Sequence, residues 1–132
     1  KTDRYQKGMD TIMGYVVPDK EIPTGHMDMQ GCKDISPDLE DFIVEFVFGD
    51  IYACDGIDNK QKVLVTISSL VAQGMPQIKL HIESGHNVVL SPKEIVGAIV
   101  HQLPYVGFPK VLNALKACQK VFNEKGIAID SE

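Results

Sequence analysis

The sequence predicts an all-α fold, a compact bundle of about six helices. Three observations predict it. Apolar residues recur at helical spacing along most of the chain. Two of these runs open on capping signals, Asp58-x-x-Gln61 and Ser91-Pro92-Lys93-Glu94. Gly74, Pro104 and Gly126 stand where runs stop.

Taken in order, Thr2–Tyr15 reads as a modest leading helix with Met9, Ile12 and Met13 apolar. Residues 16–35 carry Pro18, Pro23, Gly25 and Gly31 and read as a long loop, the kind that serves as a lid, an arm or a subunit contact. Ser36-Pro37-Asp38 starts the next helix: Ser36 can accept from free N–H groups, Pro37 sits where a missing N–H is harmless, and Asp38 faces the positive helix end. Leu39, Phe42, Ile43, Phe46 and Val47 form its stripe, which Val44 and Phe48 widen beyond the needs of one core. A helix apolar nearly all round is deeply buried or covered, here by another subunit.

The Asp58 helix carries Val63, Leu64, Ile67, Leu70 and Val71 inward and stops at Gly74. Pro76 opens a helix to about Asn87. The Ser91 helix presents Ile95, Val96, Ile99, Val100 and Leu103 and ends at Pro104. Pro109 begins the last helix, with Val111, Leu112, Leu115, Cys118 and Phe122 inward. The expected organisation is a leading helix and arm over 1–36, a helical domain over 37–126 and a tail over 127–132.

The chain has 132 residues, 44% of them hydrophobic and 23% charged, which fits one folded domain rather than disorder. No apolar stretch approaches the roughly 20 residues a membrane span needs, and no apolar segment follows the opening Lys-Thr-Asp-Arg as a signal peptide would. The chain does not open on Met, the mark of a trimmed or incomplete start. Of its 13 basic residues only Arg4 is an arginine, and none cluster, so no nucleic-acid partner is expected. Cys32, Cys54 and Cys118 form neither a disulfide framework nor a C-x-x-C pair, which suits a reducing, cytoplasmic setting with each cysteine as a small core residue.

Four histidines are candidates for chemistry. His81-Ile-Glu83-Ser-Gly-His86 invites a metal reading, but on a helix His81 and His86 diverge by about 140°, and His81 and Glu83 by about 160°. No metal is expected. His81 shares its face with Ile78 and Gly85, so it is either a core histidine or, with space beside the glycine, a proton donor or acceptor in a pocket. Lys60 and Lys62 begin the Asp58 helix and are either a solvated face or a holder of a substrate carboxylate. His101 lies on the polar side of its helix near Tyr105, and His26 falls in the long loop. Phosphate-binding glycine loops and the G-x-S-x-G elbow are absent from the sequence, which removes support for nucleotide or serine-hydrolase readings.

The series Phe48-Gly49-Asp50-Ile51-Tyr52, Ile57-Asp58, the 63–70 helix, Leu80-His81, Ser91-x-x-Glu94-Ile95 and Tyr105-Val-Gly107-Phe-Pro109 resembles the carboxymuconolactone decarboxylase family across 37–122. Arg4-Tyr5-x-x-Gly8-Met9 resembles members with an extra leading helix. The resemblance implies an alkylhydroperoxidase D-like helical protomer in a ring, typically a hexamer built as a trimer of dimers. It implies a cofactor-free carboxy-lyase acting on a γ-lactone carboxylic acid in aromatic-ring catabolism. The peroxidase branch uses C-x-x-C followed by His; His81 matches that His, but Gly74 and Gln77 stand where the cysteines would be. Lys62-Val63 replaces the family's usual Arg-Glu, which keeps a positive charge, loses the planar fork and removes an acid/base candidate. Val89 stands where a glycine is usual.

On this resemblance His81 is expected to transfer the proton, Lys62 to hold the anion, and Tyr52 and Tyr105 to supply pocket hydroxyls to a small carboxylic acid. Two alternatives stay open: a thiol or redox function through Cys54, just before a helix, and a non-catalytic oligomeric relative.

Overall fold

Helices account for nearly all of the regular backbone in the computed structural model, which describes residues 2–15, 34–87 and 90–130; no strand occurs among them. His26, Cys32 and Val89 lie outside the described residues, as do most of the long loop and the His86 side chain. The chain divides into two compact units, Lys1–Ile57 and Asp58–Glu132.

In the first unit, the Thr2 side chain accepts from the Tyr5 amide and starts α1 (Asp3–Ile12), which tightens into a 3₁₀ turn at Met13–Tyr15. A short α2 (Leu39–Phe42) runs directly into a π-helix, π1 (Ile43–Tyr52). The helix starts later than the Ser36 signal suggests. Leu39 N–H donates to the Ser36 carbonyl in a turn, and Asp38 precedes the helix without a side-chain cap bond.

The π-helix corrects the expected stripe. Bonding from i to i+5 widens the turn and departs from the 3.6-residue period, and Val44 and Gly49 are the buried pair of π1. Phe42 and Phe46, expected inside, are 61% and 56% exposed on the protomer. Val44 and Ile12 form the small core with Tyr5, Met9 and Phe48 against it. Two glycines set the α1–π1 approach: a Cβ on Gly8 would collide with the Val44 carbonyl, and one on Gly49 would sit 2.6 Å from the Arg4 carbonyl oxygen. Arg4 then ties the helices at the surface, donating to Asp50 from Nε at 3.2 Å and Nη2 at 2.5 Å, and reaching Glu45 at 3.4 Å. The Arg4 guanidinium holds the Asp50 carboxyl below the usual carboxylate range.

The second unit comprises α3 (Asn59–Gln73), α4 (Ile78–Asn87), α5 (Pro92–His101), the one-turn α6 (Leu103–Val106) and α7 (Phe108–Lys125). Both capping boxes form as read. Asp58 accepts from Gln61 N–H at 2.8 Å while Gln61 accepts from Asp58 N–H; Ser91 and Glu94 do the same at 3.1 and 3.0 Å. Gly74 and Gly126 close α3 and α7 in the left-handed conformation, at φ 70° and 64°. Lys110 adds a further stop by donating to the Ala72 carbonyl at the end of α3.

Val63, Ile67 and Val71 from α3, Ile78 and Ile82 from α4, Ile95 and Ile99 from α5, and Val111, Ala114, Cys118, Val121 and Phe122 from α7 are buried. Val100 and Leu112, expected inward, are about half exposed, and Ala114 and Val121 take the inward positions instead. Neighbouring helices cover only the narrow part of each apolar stripe. Pro104 does not merely end α5: Gln102 closes that helix, and Pro104 falls in the first turn of α6, where its missing N–H is tolerated.

Candidate functional site on the α3–α4 hairpin

Helices α3 and α4 form an antiparallel pair about the Gly74 turn. Its register is set by Gly85, where a Cβ would stand 3.1 Å from Val63 Cγ1, 3.2 Å from Leu90 Cδ1 and 3.4 Å from Ile95 Cδ1. The space over Gly85 is therefore filled by core side chains. The buried line of α4 is Ile78, Ile82 and Gly85, and His81 sits beside it, half-buried. His81 lies four residues before Gly85, and Lys62 directly precedes Val63, so their backbone positions are offset by roughly 7.5 Å along the hairpin axis.

Lys62 is half-buried too, as are Thr66 and Glu83. The Thr66 hydroxyl donates to the Lys62 carbonyl at 2.9 Å, which fixes it one turn along the face that carries Lys62. Thr66 was not singled out by sequence reasoning; its i+4 spacing from Lys62 was the signal available. A half-buried cation, hydroxyl and imidazole are the groups this hairpin offers for binding a small anion and moving a proton, with Glu83 on a different face of α4 from His81.

The remaining predicted residues are carried by other elements. Tyr105 on α6 is 77% exposed, with its ring 6.0 Å from the exposed His101. Tyr52 belongs to the first unit, where its ring packs edge-on to Tyr15 at 5.4 Å and against Phe48 at 4.8 Å. Cys54, expected as a core residue, is exposed, and its thiol donates to the Asp50 carbonyl at 3.0 Å. The thiol lies where π1 ends, four residues ahead of the Asp58 cap, and not at a helix N-terminus. Cys118 is buried, and burial pushes its thiol up to about 12. Among the described residues, no group of three or more His, Cys, Asp or Glu side chains is placed to hold a metal ion, and no helix is long and apolar enough to cross a membrane.

An all-helical protein built around such a hairpin belongs to a recognisable class, and sequence comparison identifies it. Residues 37–120 match the model of the carboxymuconolactone decarboxylase family, and the chain belongs to that family. The chain is 26% identical over 126 residues to a 4-carboxymuconolactone decarboxylase of Acinetobacter baylyi, covering 95% of this chain and 91% of the relative. It is 28% identical over 86 residues to the nitrosuccinic acid decarboxylase npaB of Metarhizium robertsii, covering 64% and 60%. An uncharacterized 15.0 kDa protein of Paracoccus denitrificans is 26% identical over 103 residues, covering 76% and 77%.

Proposed function

We propose that this chain is a decarboxylase: a cofactor-free carboxy-lyase acting on a γ-lactone carboxylic acid or a related small acid. Family membership and the two relatives named as decarboxylases support the class. The single structural observation that supports the reading is that His81 on α4 and Lys62 on α3 are both half-buried on the two arms of the α3–α4 hairpin.

In this reading Lys62 holds the substrate carboxylate as a point charge, without the two-pronged grip of arginine. The bond from carbon to the carboxyl group breaks, CO₂ leaves, and the electron pair passes into an adjacent electron-withdrawing group of the substrate. His81 in its imidazolium form then delivers a proton to the carbon. Thr66 positions the Lys62 turn through its bond to the Lys62 carbonyl. The exposed Tyr105 hydroxyl reaches substrate only under the cover of a second copy. A ring of copies, a hexamer built as a trimer of dimers in the cytoplasm, is part of the same proposal. The exposed Phe42 and Phe46 are the surface that supports it.

The test is CO₂ release from a carboxylated γ-lactone and from nitrosuccinic acid. The unaltered protein should turn over at least one of them, and His81→Ala, with its helical circular dichroism intact, should lose about 10²–10⁴-fold. Turnover by neither acid overturns the activity; full turnover by His81→Ala overturns the role of that residue alone.

A further inference from the structure

The helix made of α2 and π1 turns an apolar line outward. From Asp38 to Ile51 only four residues are exposed, Asp38, Phe42, Phe46 and Ile51, at steps of four, four and five. Steps of four follow one ridge of a helix, so this outer line is an aspartate followed by large apolar side chains. A surface helix ordinarily shows polar residues there, and a contiguous apolar line in water marks a surface that another protein covers.

The complement lies on the same chain. On the outer side of α7, Phe108, Leu112 and Lys116 are exposed at steps of four and form an apolar line that ends on a lysine. Laid antiparallel, the two ridges match turn for turn: Phe46 meets Phe108, Phe42 meets Leu112 and Asp38 meets Lys116. Laid parallel, Asp38 would face Phe108 and Lys116 would face Phe46, each charge against an apolar side chain. Neither charge is used inside the protomer: among the described residues Asp38 makes no side-chain cap bond, and neither Asp38 nor Lys116 joins an ion pair.

The charge balance of the two units favours the same contact. Lys1–Ile57 holds 12 acidic and 5 basic residues, whereas Asp58–Glu132 holds 6 acidic and 8 basic. Two copies attract where the first unit of one meets the second unit of the other, and repel where two first units meet. That selects a head-to-tail contact over a twofold pairing of like surfaces, and head-to-tail contacts are the kind that close rings.

We propose that the Asp38–Phe42–Phe46 ridge of one copy docks antiparallel on the Phe108–Leu112–Lys116 ridge of a second copy of this chain. The contact rests on the ring of copies proposed above, whose joining surfaces it names, and is independent of the decarboxylation. The test is sedimentation equilibrium of the full chain at low salt, with CO₂ release measured alongside as the separate readout of activity. The unaltered protein should associate. Asp38→Lys and Lys116→Asp, both at exposed positions, should each weaken association by at least about tenfold. The double variant, which restores opposite charges across the contact, should recover most of that loss. Phe46→Ala, with helical circular dichroism unchanged, should also weaken association by at least about tenfold. A monomeric parent would overturn this contact and the ring together. Association indifferent to Lys116→Asp, whether the Phe46 ridge then pairs with its own twofold copy or another face joins the ring, would overturn this contact alone. A double variant no stronger than the single ones would do the same.

Discussion

The two units hold their helices together by different means. In Asp58–Glu132 each long helix has its own local instructions: capping boxes at Asp58 and Ser91, left-handed glycine stops at Gly74 and Gly126, and an apolar stripe facing its neighbours. In Lys1–Ile57 the α1–π1 pair depends on two backbones approaching where Gly8 and Gly49 leave room, with Ile12, Tyr15 and Val44 buried among the described residues. A locally instructed helix tolerates an imperfect neighbour. A pair built on close approach depends on atoms that are absent, and small additions there should be felt strongly.

The largest effect tests the stripe-packed unit. Ile67 is fully buried on α3, and Ile67→Ala should lower the unfolding free energy by about 2–5 kcal/mol in urea titration. A loss under about 1 kcal/mol would mean that the stripe is not the core.

Next comes the sign of Gly8→Ala. Helix propensity alone favours alanine by roughly 0.5–1 kcal/mol. The Val44 carbonyl occupies the place of the new Cβ, so the substitution should instead destabilise by about 1–3 kcal/mol. A stabilised variant would break the close-approach account and erase the contrast between the units.

The smallest expected effect concerns the caps. Ser91→Ala should cost about 0.5–2 kcal/mol and speed hydrogen exchange in the first turn of α5. The cap also predicts a pH dependence. The Ser91 backbone N–H holds the Glu94 carboxyl below its usual range. A lowered folded value means that the contribution is fully present above the unfolded value and is lost as pH falls through the folded one. Acidification below the ordinary carboxylate range should therefore destabilise the parent more than Glu94→Gln, which has no carboxylate to protonate. Parallel acid profiles for the two would detach the cap from that carboxylate.

What was legible in the chain follows the same division. The caps at Asp58 and Ser91 and the stops at Gly74 and Gly126 involve residues three or four apart, so the sequence carries them whole. The stripe over Leu39–Phe48 was misread because a period of 3.6 was applied where the backbone bonds from i to i+5. Nothing local in Ile43–Tyr52 announces that choice. At the hairpin, His81 was legible as a candidate by its chemistry and by resemblance. The space imagined over Gly85 was not there, because Val63, Leu90 and Ile95 arrive from three other stretches of chain to fill it.

The sequence by itself determined the all-helical class, the family and the starts and stops of the main helices, since these depend on neighbours along the chain and on side-chain periodicity. Only the tertiary structure decided that Phe42 and Phe46 face outward, that Tyr52 packs with Tyr15 and Phe48, and that core side chains fill the space over Gly85. Those outcomes depend on which atoms from distant segments occupy the same volume, and no single stretch of sequence specifies that.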